Sequence, residues 1–140
     1  MAEVINKTKK WLDEFKVELD TDTTINETEI VEKLCSVPHL HSKWLHKYLI
    51  VQDKYEKQEI QVRKVYGQIY NELKSKSEYR VDSNQITKII EGDERYIAEE
   101  EKLNSIKIPL KFLEESVKKV GNLGFLLNTL LETKKFLNGK

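Results

Sequence analysis

"LNSIKIPLKFLEESVKKVGNLGFLLNTLL", residues 103–131, carries two interleaved apolar series. Leu103, Leu110, Val117, Gly124 and Leu131 fall seven apart, and Ile106, Leu113, Val120 and Leu127 follow three residues on. Alternating steps of three and four keep side chains on one side of an α-helix, whereas a strand would alternate by two. The run therefore reads as a coiled-coil-like seam. Apart from it, Ile108, Phe112, Phe125, Leu126, Leu130 and Phe136 form a second apolar face. A helix apolar on two sides belongs in a bundle or ring, since one partner covers only one side. Pro109 falls inside the run, removes a backbone donor, and predicts a kink or a split near Lys107. Gly121 and Gly124 each weaken a helix by about 1 kcal/mol relative to Ala. A glycine on the seam also lets two backbones approach closely.

Upstream the chain is also helical in pattern. "TKKWLDEFKVEL" (8–19) sets Trp11, Leu12, Phe15 and Leu19 at helical spacing, with Thr8 placed to cap. "DTDTTINETE" (20–29) reads as a loop, and Asn26 with Glu29 fits a capping box for a second helix bearing Ile30, Val31 and Leu34. That helix is expected to stop before Pro38, because the residue preceding proline avoids the helical region. From Leu40 to about Lys74 there is no proline, and Tyr48, Val51, Tyr55, Val62, Val65 and Ile69 recur at seam spacing, with Gln58 filling one slot. Such a helix of about 33 residues would be roughly 50 Å long, far beyond the ~14 Å radius of gyration of a compact chain this size. Residues 75–84 read as a polar link; Ser83 or Asn84 caps a short helix ended by Gly92, and Asp93 caps the next.

The bulk composition agrees with one all-α domain. The chain has 140 residues, 39% hydrophobic and 34% charged, with only five Gly and two Pro. No run of about 18 apolar residues exists to span a membrane. A single cysteine, Cys35, excludes an internal disulfide framework and fits a reducing cytoplasm. Net charge is zero but unevenly placed. Residues 1–42 carry five cations against nine anions, 43–80 nine against five, 81–105 three against seven, and 106–140 seven against three. Neutrality overall thus leaves room for a basic face toward a polyanion.

"QVRKVYGQIY" (61–70) lies in the first basic block. Arg63 and Lys64 are adjacent cations, Tyr66 and Tyr70 share a helical stripe, and Lys57 and Lys74 lie within a turn or two. Lys76, Tyr79 and Arg80 follow. Cations neutralise phosphates and release counterions, while aromatic faces stack unpaired bases without regard to sequence. A solvated, salt-bridged helix face would look similar. An oligomer repeating the strip would add weak contacts through effective concentration, so seam and strip support one another.

Other constellations read as structural. Cys35, His39, His41 and His46 surround Pro38, but their spacing does not supply four convergent ligands for zinc. No nucleophile elbow, phosphate loop or metalloprotease motif occurs, and Glu99–Glu101 spread around a helix. Trp44, beside Leu45 and Tyr48, reads as core or interface.

The order of these features resembles the UvsY family, the recombination mediator proteins of tailed phages. "LDEFKVELDTDTT", then "HSKWLHKY" before the long charged helix, then "VGNLGFLLNTLLETKKFLNGK" carry the likeness along nearly the whole chain. "SKWL" and the closing Gly124-Phe125, Phe136 and Gly139-Lys140 are its most specific pieces. The resemblance implies a non-enzymatic protein without cofactor or metal, in the cytoplasm of the infected bacterial host. It implies a hexamer- or heptamer-class ring built by the C-terminal region, residues 81–140, and a DNA-binding helix within residues 1–80. It implies sequence-independent single-stranded DNA binding, displacement of the phage single-strand binding protein, and loading of a RecA-like phage recombinase. On this chain the DNA role passes to Arg63 and Lys64, with Tyr66 and Tyr70 as stackers and Lys57, Lys74, Lys76 and Arg80 beside them. Ring assembly is expected to rest on Leu103, Ile106, Leu110, Leu113, Val117, Val120, Leu127 and Leu131.

Overall fold

The computed structural model describes residues 2–76 and 82–139, and these are helical apart from short connections. α1 spans Ala2–Asp22, α2 Ile30–Lys76, α3 Ser83–Glu91 and α4 Glu94–Leu137, with a 3₁₀ turn at Glu27–Glu29. At 1.5 Å per residue α2 and α4 are rods of about 65–70 Å. The start of α2 packs on the end of α4 through Ile30, Leu123 and Leu127. Its far end, at Val65 and Ile69, meets α3 at Ile86 and Ile90, with Tyr96 from the start of α4. The two rods are thus antiparallel, and α1 lies against their middle.

The central core joins Leu19 of α1, Leu40, Trp44 and Val51 of α2, and Ile106, Leu113 and Val120 of α4. The seam read from the sequence is therefore real, and it closes within one chain. Leu113, Val120 and Leu127 have no solvent exposure, and Ile106 has 7%. These four were expected to hold copies together; α2 and α1 cover them instead. Leu103, Leu110, Val117 and Leu131 lie half-buried at the margin. Of the second face, Ile108, Phe125, Leu126, Leu130 and Phe136 lie open, with Leu137 beside them, while Phe112 is half-buried against the central core.

Two proline expectations need correction, the stop before Pro38 and the split near Lys107. Pro38 lies inside α2 and Pro109 inside α4, with neither helix ended. Pro38 sits on the exposed side, where solvent replaces the donor it lacks. Pro109 is fully buried, so its ring adds apolar contact while withholding no donor that would need a partner. The helix-interior cost of about 3 kcal/mol is offset by Ile106 and Leu113 on either side, at about 1.5–3 kcal/mol per fully buried aliphatic side chain. At Pro109 tertiary packing overrides local propensity.

Smaller departures concern helix ends. α1 begins at Ala2, so Thr8 is not a cap; it is buried and its hydroxyl donates to the Ile5 carbonyl at 2.9 Å. The loop after α1 shrinks to a few residues, and the Asn26 side chain accepts from the Thr28 amide at 3.2 Å. Asp82, not Ser83 or Asn84, is the N-cap residue of α3. Asp93 caps α4 as expected, accepting from the Arg95 amide at 2.9 Å. Gln58 fills its seam slot by donating to Glu99, at 3.0 Å to the carbonyl and 2.7 Å to the carboxylate. Room for a methyl remains at the seam Gly124 and at Gly121 beside it: a Cβ on Gly124 would meet Val37 at 3.5 Å and one on Gly121 would meet His41 at 3.7 Å. These are ordinary contacts.

Candidate nucleic-acid interface

The second half of α2 carries the basic strip from Lys57 to Lys76, and the helix divides it between two flanks. Val62, Val65 and Ile69 face the core. Arg63, Tyr66, Tyr70 and Lys74, at steps of three and four, form one flank; Lys57 and Lys64, seven apart, form the other. Arg63 and Lys64 are exposed and neither has a carboxylate partner among the described residues. Lys57 is also exposed but pairs with Asp53 at 2.8 Å, and that hydrogen bond holds its ammonium pKa above the ordinary value. Lys76 ends the helix in the open. Arg80 and Tyr79 lie outside the described residues.

The two tyrosines are less available than their spacing suggests. Both are half-buried and pack on the Val65–Ile69–Ile86–Ile90 cluster. Tyr66 meets Tyr96 edge-to-face at 6.0 Å between centroids, and Lys74 lies 4.9 Å from the Tyr70 ring centre. Burial, then the hydrogen bond to Glu100, raises the Tyr96 hydroxyl pKa. An ion-pair clamp closes this end. Arg95 reaches Glu72 with two bonds of 3.0 and 2.9 Å and holds Asp93 at 3.0 Å. The guanidinium beside Glu72 and Asp93 keeps both carboxyls below their ordinary values. The clamp ties the end of α2 to the start of α4 and so fixes the direction of the strip.

Nearer the start of α2 sits a group that sequence reading placed as core or interface. Trp44 is wholly buried, with its ring edge-to-face to Phe15 at 6.5 Å. Its indole N–H donates to Asp22 at 3.0 Å, and the Lys43 ammonium donates to the same oxygen at 2.7 Å. Glu18 joins with Lys43 at 2.8 Å and Lys47 at 3.0 Å. Desolvation opposes both charges, yet the contacts prevail: Glu18 is held below the usual carboxylate value and Lys43 above the usual ammonium value. Among the described residues no group of three or more His, Cys, Asp and Glu converges as metal ligands. No described helix is long and apolar enough to cross a membrane.

The sequence profile of the family described as recombination, repair and ssDNA binding protein UvsY matches residues 18–140. The chain belongs to the UvsY family. No curated protein sequence matches it. Crystal structures of the bacteriophage T4 recombination mediator protein UvsY share its fold. One crystal form gives a TM-score of 0.78 at 18% identity, over 89% of this chain and 97% of that one. A second gives 0.76 at 17% identity, over 91% and 97%, and a third 0.75 at 17%, over 88% and 98%. The UvsY match begins near the end of α1 and takes in the whole of α2.

Proposed function

We propose that this protein is a recombination mediator that binds single-stranded DNA without sequence preference, as a ring-like homo-oligomer of six or seven copies. Arg63 and Lys64, exposed and without carboxylate partners among the described residues, on α2 of a UvsY-family chain, are the observation that carries this reading. A structural ion-pair face would have used them in pairs, as Lys57 is used. Lys57, Lys74 and Lys76 add charge along the strand path, Arg80 follows them in sequence, and the half-buried Tyr66 and Tyr70 border it. Residues 1–80 then supply the DNA-binding helix and residues 81–140 the assembly region, within one structural domain.

Assembly runs through the outer face of α4. Phe125 is 79% exposed and Phe136 82%, and a soluble chain rarely leaves such a row of large apolar residues uncovered. Leu103, Leu110, Val117 and Leu131 lie at its margin. A ring presenting many modest phosphate contacts wraps and strains the strand. That conformation suits a RecA-like phage recombinase better than the phage single-strand binding protein, so occupancy shifts by differential affinity. No covalent chemistry, nucleotide or metal enters, and the setting is the cytoplasm of the infected bacterium.

Binding of a labelled oligo-dT at rising salt tests the DNA reading. Arg63→Ala with Lys64→Ala is expected to weaken binding and flatten the logarithmic salt slope by up to about 1.4, at ~0.7 per phosphate contact on a single strand. Unchanged affinity and slope would favour a scaffold that binds only proteins.

A further inference from the structure

Near the middle of α1 a cavity of about 300 Å³ opens between α1 and α2, lined by Lys7, Trp11, Phe15, Lys47, Val51 and Lys54 among others. Its floor is aromatic and aliphatic, and its rim is cationic. The Lys54 ammonium lies 4.7 Å from the Trp11 ring centre and that of Lys7 5.6 Å away, while Lys47 lies 5.6 Å from Phe15. Lys7 and Lys54 are exposed and have no carboxylate partner among the described residues. Trp11 is half-buried and belongs to none of the three apolar clusters.

The cavity is also continuous with the strip already described. Lys47, Ile50, Lys54, Lys57, Gln61 and Lys64 follow one another at alternating steps of three and four, which places them on one flank of α2. Over that flank the rise from Lys47 to Lys64 is roughly 25 Å at 1.5 Å per residue. Among the described residues, carboxylates pair with it at two points: Glu18 on Lys47 and Asp53 on Lys57.

The geometry points to this cleft as a nucleotide subsite for single-stranded nucleic acid, in which one base stacks on Trp11 while Lys7 and Lys54 take the flanking phosphates. It rests on the proposed DNA-binding function and extends it to α1. Lysines over an exposed indole are held by about 0.5–1 kcal/mol, whereas base–aromatic stacking contributes about 1–3 kcal/mol. A base therefore displaces the ammoniums from the ring, and their long stems swing them toward phosphate. An acidic peptide shares the charge complementarity but has no flat π-face to match the indole.

The chain holds two tryptophans, Trp11 and Trp44, and Trp44 is shielded from any ligand. Intrinsic emission quenched by oligo-dT therefore reports Trp11. We expect saturable quenching by oligo-dT, lost in Trp11→Ala together with a roughly 5- to 150-fold fall in affinity, the equivalent of the stacking energy. Lys7→Ala with Lys54→Ala, both surface changes, should flatten the salt slope by up to about 1.4. If oligo-dT binds in an Arg63- and Lys64-dependent manner while emission and these variants leave binding unchanged, the subsite is refuted and the DNA-binding reading stands. If an acidic peptide quenches Trp11 and oligo-dT does not, the cleft belongs to a protein partner and the inference fails. Absence of all oligo-dT binding overturns both.

Discussion

Trp44 and Trp11 both lie where α1 meets α2, each with two lysine ammoniums near its ring, at 5.8 and 5.7 Å for Trp44 and 5.6 and 4.7 Å for Trp11. Trp44 is sealed: its indole N–H, Lys43 and Lys47 all find carboxylates in Asp22 and Glu18. Trp11 is open, and its lysines have none among the described residues. The same residue types thus make a structural anchor in one place and a ligand-ready surface in the other. What separates them is one turn of acidic residues at the end of α1. Charge partners, rather than the aromatic–cation pattern, decide which group is left for a ligand.

The largest effect should fall on the sealed side. Trp44→Ala is expected to cost about 3–5 kcal/mol of stability, read by urea unfolding, whereas Trp11→Ala should cost well under half as much. Equal losses would break the contrast. Next comes assembly: Phe125→Asp with Phe136→Asp on the outer face of α4 should dissociate the particle while leaving protomer stability within about 0.5 kcal/mol, as for surface positions generally. Leu113→Asp on the buried seam should instead unfold the protomer, seen by circular dichroism.

Acid sharpens the comparison further. Glu18 has its folded-state pKa depressed by Lys43 and Lys47. Its contribution is present above the unfolded carboxylate pKa, about 4.3, and is lost as pH falls through the lower folded value. Lys43, raised by Asp22 and Glu18, contributes below its unfolded value and loses that contribution only as alkaline pH rises through the folded one. Urea midpoints should therefore drop below about pH 4, and less so in Glu18→Gln. An identical acid profile in that variant would remove Glu18 from the account. The smallest change is Gly67→Ala on α2. A Cβ there meets nothing within 4 Å, so stability should rise by about 1 kcal/mol, measured as a higher thermal midpoint.

The all-helical architecture was legible because period is a property of sequence: the Ile106–Leu127 series and the Val51–Ile69 series each show on which side a helix is buried. What covers that side is not a property of either series alone. Ile106, Leu113, Val120 and Leu127 look alike whether a second copy or α2 supplies the cover, and only the fold of the whole chain assigns them to α2. Pro38 misled as a stop and Pro109 as a split for a related reason, since the local penalty is visible in sequence, whereas the solvent exposure of the first and the packing of the second are not. For the strip, Arg63 and Lys64 could be found as cations, while the burial of Tyr66 and Tyr70 by α3 could not. Trp11 was legible as an apolar helix position; the Lys54 ammonium over its ring comes from more than forty residues away in the chain.

The most direct test is light scattering with and without oligo-dT at working concentration. A particle of several protomers that takes up oligo-dT as one complex, and falls to the protomer in Phe125→Asp with Phe136→Asp, is what shared weak grips on one strand require. A lone protomer whose mass oligo-dT leaves untouched would contradict it.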